Sequence, residues 1–180
     1  MHGMIHTELR KFVVENYNEE AWETILKKAG LKGKKYLTMQ NYSDKETLAI
    51  VGAAVEITGI PLEEILETFG KFIAPDLIRM YRALVDPDWT TKEFLLNIEG
   101  TMHKAVRDRN VGAKPPVLSF RDMGGNKLQF IYTSSRNMIP VALGIMKGVA
   151  EQYDETVTVT PTGNDNKSGS EFIVEIHPAE

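Results

Sequence analysis

The chain contains no cysteine, which excludes a disulfide framework, a thiolate metal site and a cysteine nucleophile. Any metal it holds has to be bound through histidine or carboxylate. Long apolar runs are missing too. Nothing approaches the roughly 18 consecutive apolar residues that suggest a membrane span. The opening "MHGMIHTELRKF" lacks the basic-then-apolar layout of a secretion signal. Nor is there an excess of positive charge: a formal net charge of −4 argues against a general nucleic-acid or anionic-membrane binder. These absences predict a cytoplasmic protein with no nucleic-acid and no membrane partner.

What is present is the composition of a globular domain, 42% hydrophobic and 26% charged over 180 residues, long enough to bury a core. The expectation is a single domain, 1–180, whose pattern changes once. Residues 1–110 read as mainly helical. Ile5, Leu9, Phe12 and Val13 have helical spacing, and Trp22, Ile25, Leu26 and Ala29 repeat it before Gly30. Ser43 with Glu46 forms a capping-box pattern, opening a helix to Gly59. A helix from Pro61 through Phe69 should follow, and another carrying Leu77 to Leu84. Thr90 with Glu93 caps a further helix, which runs to about residue 109.

After "GAKPP" the period falls to two. "VLSFRD", the turn "MGGN" and "KLQFIYTS" read as a hairpin. Residues 138–152 return to helix, and "ETVTVT" and "EFIVEIH" give two more strands around "GNDNKSGS", which reads as a mobile loop. The fold class is therefore α+β. A helical N-terminal half precedes a C-terminal part, 111–180, of four antiparallel strands and one long helix.

Two features carry chemistry. In "FIYTSSRNM" the residues Tyr132, Ser134 and Arg136 stand at every second position. Side chains on a strand alternate faces, so these donors are expected to project from one face in a row and to suit a ligand with several oxygens. Among the histidines, His2, His6 and His177 lie near the termini and read as solvated. His103 is different, in mid-helix on a face shared with Leu96 and Gly100. A glycine there costs about 1 kcal/mol against alanine, which hints at close approach of something bulky. On that helix only Glu99, four residues earlier, could join His103 in a metal site. The plain alternative is a satisfied core histidine. A lone imidazole facing an apolar space also suits the axial position of a haem, where the porphyrin supplies four ligands.

Tyr-x-Ser-x-Arg after a hairpin, a histidine about thirty residues upstream and an N-terminal "MHG" resemble the haem-nitric-oxide/oxygen-binding (H-NOX) family, of the stand-alone bacterial type. The resemblance spans nearly the whole chain. It implies haem b (iron protoporphyrin IX) buried between a distal helical half and the sheet-containing half. His103 would be the iron ligand, and Tyr132, Ser134 and Arg136 would hold the propionates, for which a guanidinium–carboxylate pair is a strong contact. By the same resemblance Pro116 presses on the porphyrin and Ile5 packs on it from the first helix. Leu9, Leu77, Val141 and Ile145 line the distal pocket, a role compatible with plain core. Val141 stands where oxygen-binding members carry a tyrosine, and Leu9 and Ile73 replace that tyrosine's polar partners. The four-cysteine zinc site of some members is excluded here.

The resemblance implies a non-enzymatic nitric oxide sensor that takes NO or CO at a five-coordinate ferrous haem. NO would weaken the bond from iron to His103 and release its helix. With no kinase, cyclase or membrane segment in the chain, the signal is expected to pass to a separate protein. By family analogy this is a histidine kinase, or a diguanylate cyclase or phosphodiesterase. The basic "LKGKKY" reads as solvated surface. Two other classes stand beside this reading. A haem peroxidase or a hydrolase using His103 would need a polar partner that the aliphatic distal positions do not supply. A haem-free ligand-binding or docking domain of the same fold would be colourless.

Overall fold

Local signals set the first helices. In this computed structural model, which describes residues 1–109, 113–163 and 169–179, α1 spans Gly3–Asn16 and α2 spans Glu19–Lys28. Asn18 caps α2 by accepting the Ala21 N–H at 2.9 Å, with Glu19 and Glu20 in its first turn and Lys27 and Lys28 in its last, the order its dipole favours. Helix α3 is Asp44–Thr58, closed by Gly59 at φ 71°. Its expected capping box is only half made. Ser43 accepts the Lys45 N–H, but the Glu46 carboxylate is spent on Tyr36 and Lys34.

The pattern predicts separate helices through Phe69 and from Leu77; the structure has one, α4 (Leu62–Met80), with Pro75 inside it. Proline in a helix interior costs about 3 kcal/mol. Ile73 and Ala74 keep the helix in register, 1% and 0% exposed, and their burial offsets that cost. Arg82–Leu84 is a single 3₁₀ turn.

The chain forms two compact units, Met1–Phe69 and Gly70–Glu180. The first has a core of Leu9, Phe12, Trp22, Leu26, Ile50 and Phe69. Its 31–43 segment is tied to α1 by backbone: the Gly3 N–H donates to the Gln40 carbonyl at 2.7 Å and the terminal ammonium to that of Tyr42 at 2.6 Å. An alanine at Gly3 would put its Cβ 2.0 Å from the Leu37 carbonyl oxygen, so only glycine fits. His6, expected in solvent, is fully buried, stacked on Tyr36 at 4.2 Å with its Nε2 3.0 Å from the Thr47 hydroxyl. The basic stretch also has internal partners: Lys34 pairs with Glu46 at 3.2 Å and lies 5.6 Å from the Tyr42 ring centroid.

The second unit carries an antiparallel sheet in the order β1-β2-β4-β3, with β1 Val117–Asp122, β2 Lys127–Thr133, β3 Glu155–Pro161 and β4 Ser170–Pro178. The β1–β2 hairpin turns through Gly124 and Gly125, at φ 89° and 58°. Period-two burial follows: Leu128, Phe130 and Tyr132 of β2 point into the core, opposite Val174, Phe172 and Ser170 of β4. Residues 164–168, within the loop expected to be mobile, lie outside the described residues. Helix α5 (Thr91–Asn97) has its full capping box at Thr90 and Glu93. A π-helical turn, Glu99–His103, leads on to α6, Lys104–Arg109. Helix α7, Ile139–Glu151, packs on β3 and crosses α4 at backbone contact. A Cβ on Gly70 would lie 2.2 Å from the Val141 carbonyl oxygen, and one on Gly148 would lie 2.7 Å from that of Lys71.

Candidate functional site

His103 closes the π turn, its backbone N–H donating to the Ile98 carbonyl five residues earlier at 3.1 Å. Such single π turns occur often at functional positions. The side chain is 15% exposed, and its Nδ1 lies 2.9 Å from a Glu99 carboxylate oxygen. Burial pulls the His103 pKa below its ordinary value, and the opposing pull of Glu99 does not restore it. Burial would raise the Glu99 pKa, but hydrogen bonds from the Leu118 N–H, His103 and Arg107 outweigh it and hold the carboxyl below its usual range. At neutral pH the imidazole is thus uncharged and the carboxylate ionised. An ionised carboxylate only accepts, so Nδ1 carries the proton. The lone pair is then on Nε2, the nitrogen left for a metal.

Glu99 is itself held in place. The Leu118 N–H of β1 donates to the same carboxylate oxygen at 3.1 Å, and the Arg107 guanidinium lies 2.8 Å from the other. The carboxylate thus joins the π turn to β1 and α6. In the sequence Glu99 reads only as a possible second metal ligand. The i, i+4 spacing that pairs it with His103 was visible; the contacts to Leu118 and Arg107 were not. Gly100 has no protein atom within 4 Å of where its Cβ would stand and is exposed, so the protein itself makes no close approach there. A weaker pull, from a backbone hydrogen bond with Pro116, also opposes the effect of burial on the His103 pKa.

The row of donors expected along a strand is corrected. β2 ends at Thr133, so only Tyr132 sits in the strand; Ser134 and Arg136 lie in the turn leading to α7. The Ser134 hydroxyl oxygen accepts the Arg136 N–H at 3.2 Å, a local turn bond that ends the extended run. Asn137, at φ 48°, completes the reversal. Tyr132 is buried, and its hydroxyl oxygen accepts the Met138 N–H at 3.2 Å, which leaves its own proton to donate. The Arg136 guanidinium donates to the Lys114 carbonyl at 2.5 Å. Residues 132–136 still carry the Tyr132 and Ser134 hydroxyls and the Arg136 guanidinium within one short segment.

The aliphatic candidates fall on three helices. Ile73 and Leu77 are on α4, Val141 and Ile145 on α7, and Ile5 and Leu9 on α1. Leu9 is 3% exposed and lines a cavity of about 210 Å³ within the first unit, with Phe12, Ile25, Ile50 and Ile65. Among the described residues no group of three or more His, Asp or Glu side chains is placed to hold a metal ion. A neutral imidazole with its other nitrogen fixed by a carboxylate fits one metal role well. It is the axial donor to a metal whose remaining ligands come from a macrocycle. The residues present fit a haem.

The sequence profile of a family described as haem-NO-binding matches residues 2–161. The chain belongs to that family. Its fold is that of H-NOX proteins. The S. oneidensis H-NOX protein in the Fe(II)NO ligation state superposes with a TM-score of 0.89 at 20% identity, covering 98% of this chain and 99% of that one. Fe(II) unliganded H-NOX from K. algicida gives 0.85 at 22% identity, covering 98% and 97%. In sequence the chain is similar to soluble guanylate cyclase gcy-35 of Caenorhabditis elegans, 26% identical over 185 residues, 97% of this chain and 26% of the relative. Soluble guanylate cyclase gcy-32 of the same organism is 25% identical over 181 residues, covering 93% and 25%. The chain thus spans about a quarter of the length of these curated relatives. No helix among the described residues is long and apolar enough to cross a membrane.

Proposed function

We propose that this haem-NO-binding protein is a nitric oxide sensor. It binds haem b through His103 and passes the signal to a separate protein in the cytoplasm rather than catalysing a reaction. The observation that carries the reading is the His103–Glu99 pair. A neutral, buried imidazole whose Nδ1–H donates to a carboxylate has Nε2 left for iron. Haem, when bound, supplies a ferrous iron with one open position for a diatomic gas. The chain's residues do the rest. Tyr132, Ser134 and Arg136 offer donors suited to the propionates, Arg136 as the charged partner. By the family resemblance Pro116 and Ile5 would pack on the ring, and Leu9, Leu77, Val141 and Ile145 would exclude water from the gas.

The gas follows from what these side chains cannot do. Dioxygen draws negative charge to itself on ferrous iron and gains from a nearby donor; NO and CO gain little. A hydrogen bond to a charged group is worth about 1.5–3 kcal/mol, about 10- to 150-fold in affinity. Val141 and Ile73 carry no donor, and neither does Leu9 on its own helix. Ferrous protein should therefore bind NO and CO and form no stable O₂ complex in air. The absorption spectrum of the reduced protein under each gas tests this. A stable oxy spectrum in air-saturated buffer would refute the NO assignment, and a chain that takes up no haem would favour a haem-free docking domain.

The output partner is, by family analogy, a histidine kinase, or else a diguanylate cyclase or phosphodiesterase. A pull-down that gives the same partner and yield with NO-bound and unliganded protein would separate partner from switch.

A further inference from the structure

The carboxylate behind His103 is built more firmly than a chance i, i+4 neighbour. Glu99 Oε2 is 2.9 Å from His103 Nδ1 and takes the Leu118 N–H at 3.1 Å, while Oε1 is 2.8 Å from the Arg107 guanidinium. The acid is therefore fixed from three directions, by the π turn, by β1 and by α6. Holding a side chain this way costs rotamer freedom, and on an exposed helix face an ion pair returns little. Here Glu99 is only 29% exposed and His103 15%, so the contact is worth more than a surface pair.

We propose that Glu99 is the positioning residue for His103: its carboxylate, by accepting a hydrogen bond from Nδ1–H, strengthens the imidazole as a donor to iron and sets how readily that bond is given up. This rests on the reading of His103 as the axial ligand. The physical ground is a charge effect. Hydrogen bonding to an anion shifts electron density in the ring toward Nε2, and carboxylates in this position raise the basicity of ligating histidines. A bond strengthened in this way favours the oxidised iron and resists displacement from the opposite side. Arg107 sets the limit by sharing the same carboxylate, which keeps the proton on Nδ1 instead of letting it pass to Glu99. The strength of the iron–histidine bond in this protein is then a property of three residues, not one.

Glu99→Gln keeps the size and an acceptor oxygen while removing the charge. In the haem-loaded protein the ferrous iron–histidine stretch, read by resonance Raman, should fall to lower frequency in the variant, and the midpoint potential should rise. Equal stretch and equal potential in the two proteins would overturn the proposal, whereas a wild type that takes up no haem would instead sink the reading of His103. A second measurement does not depend on how Glu99→Gln folds. In His103→Gly, imidazole supplied from solution can donate to Glu99 but 1-methylimidazole cannot. The first should restore haem binding to the variant with at least about tenfold higher affinity, the lower end of what such contacts contribute. Adding Glu99→Gln should shrink that preference. Equal affinities in His103→Gly would again overturn the proposal.

Discussion

His6 shows how much one side chain depends on residues far along the chain. It lies fully buried between Tyr36, Tyr42 and Thr47. Burial pulls its pKa below the ordinary 6.5, with Glu46 opposing. The sign follows from proton counts. Below about pH 6.5 the unfolded chain binds a proton at His6 that the folded chain refuses, so stability is full above that pH and is lost as pH falls through it toward the folded value. The loss approaches about 1.4 kcal/mol per pH unit for this one group. Urea midpoints of the haem-loaded protein at pH 7.5 and 5.5 should therefore differ more for wild type than for His6→Gln. Equal pH dependence would show that His6 is not held neutral. Nothing near His6 in the sequence announced this burial, because its partners stand thirty to forty residues away. His103, by contrast, was legible, since mid-helix placement on an apolar face is a local property. Its partner Glu99 was legible in spacing and not in function, which depends on Leu118 and Arg107.

At the scale of elements, caps and periods in the sequence foretold most of the helices and all four strands. Of the features that escaped, two lie where backbone geometry overrides side-chain pattern. The strand through Tyr132 stops at Thr133 because Ser134 bonds the Arg136 N–H, so alternation in sequence continued past the end of the strand. Helix α4 persists through Pro75 with Ile73 and Ala74 buried just before the proline and a half-buried Ile78 packed on the core after it. Glycine tests the same distinction. Gly52, inside α3, has open space where a Cβ would go, whereas Gly148 on α7 sits 2.6 Å from the Ala74 Cβ by the same measure. Gly52→Ala should stabilise the protein by about 0.5–1 kcal/mol through the unfolded chain's entropy. Gly148→Ala should force α4 and α7 apart and destabilise by about 1–3 kcal/mol. Thermal melts of the two variants read the difference directly, and two shifts of the same sign would contradict the close crossing.

For the whole molecule, family membership and fold rest on the profile match over residues 2–161 and on superposition with H-NOX structures. We propose that His103 is the protein's link to iron. The absorption spectrum of purified and haem-reconstituted protein, wild type beside His103→Gly, tests this most directly. Wild type should hold one haem per chain with a Soret band of five-coordinate ferrous haem. His103→Gly should lose that band's position and most haem uptake, and millimolar imidazole should restore both. A variant that takes up haem with an unchanged spectrum, or a wild type that stays colourless after reconstitution, would contradict the account.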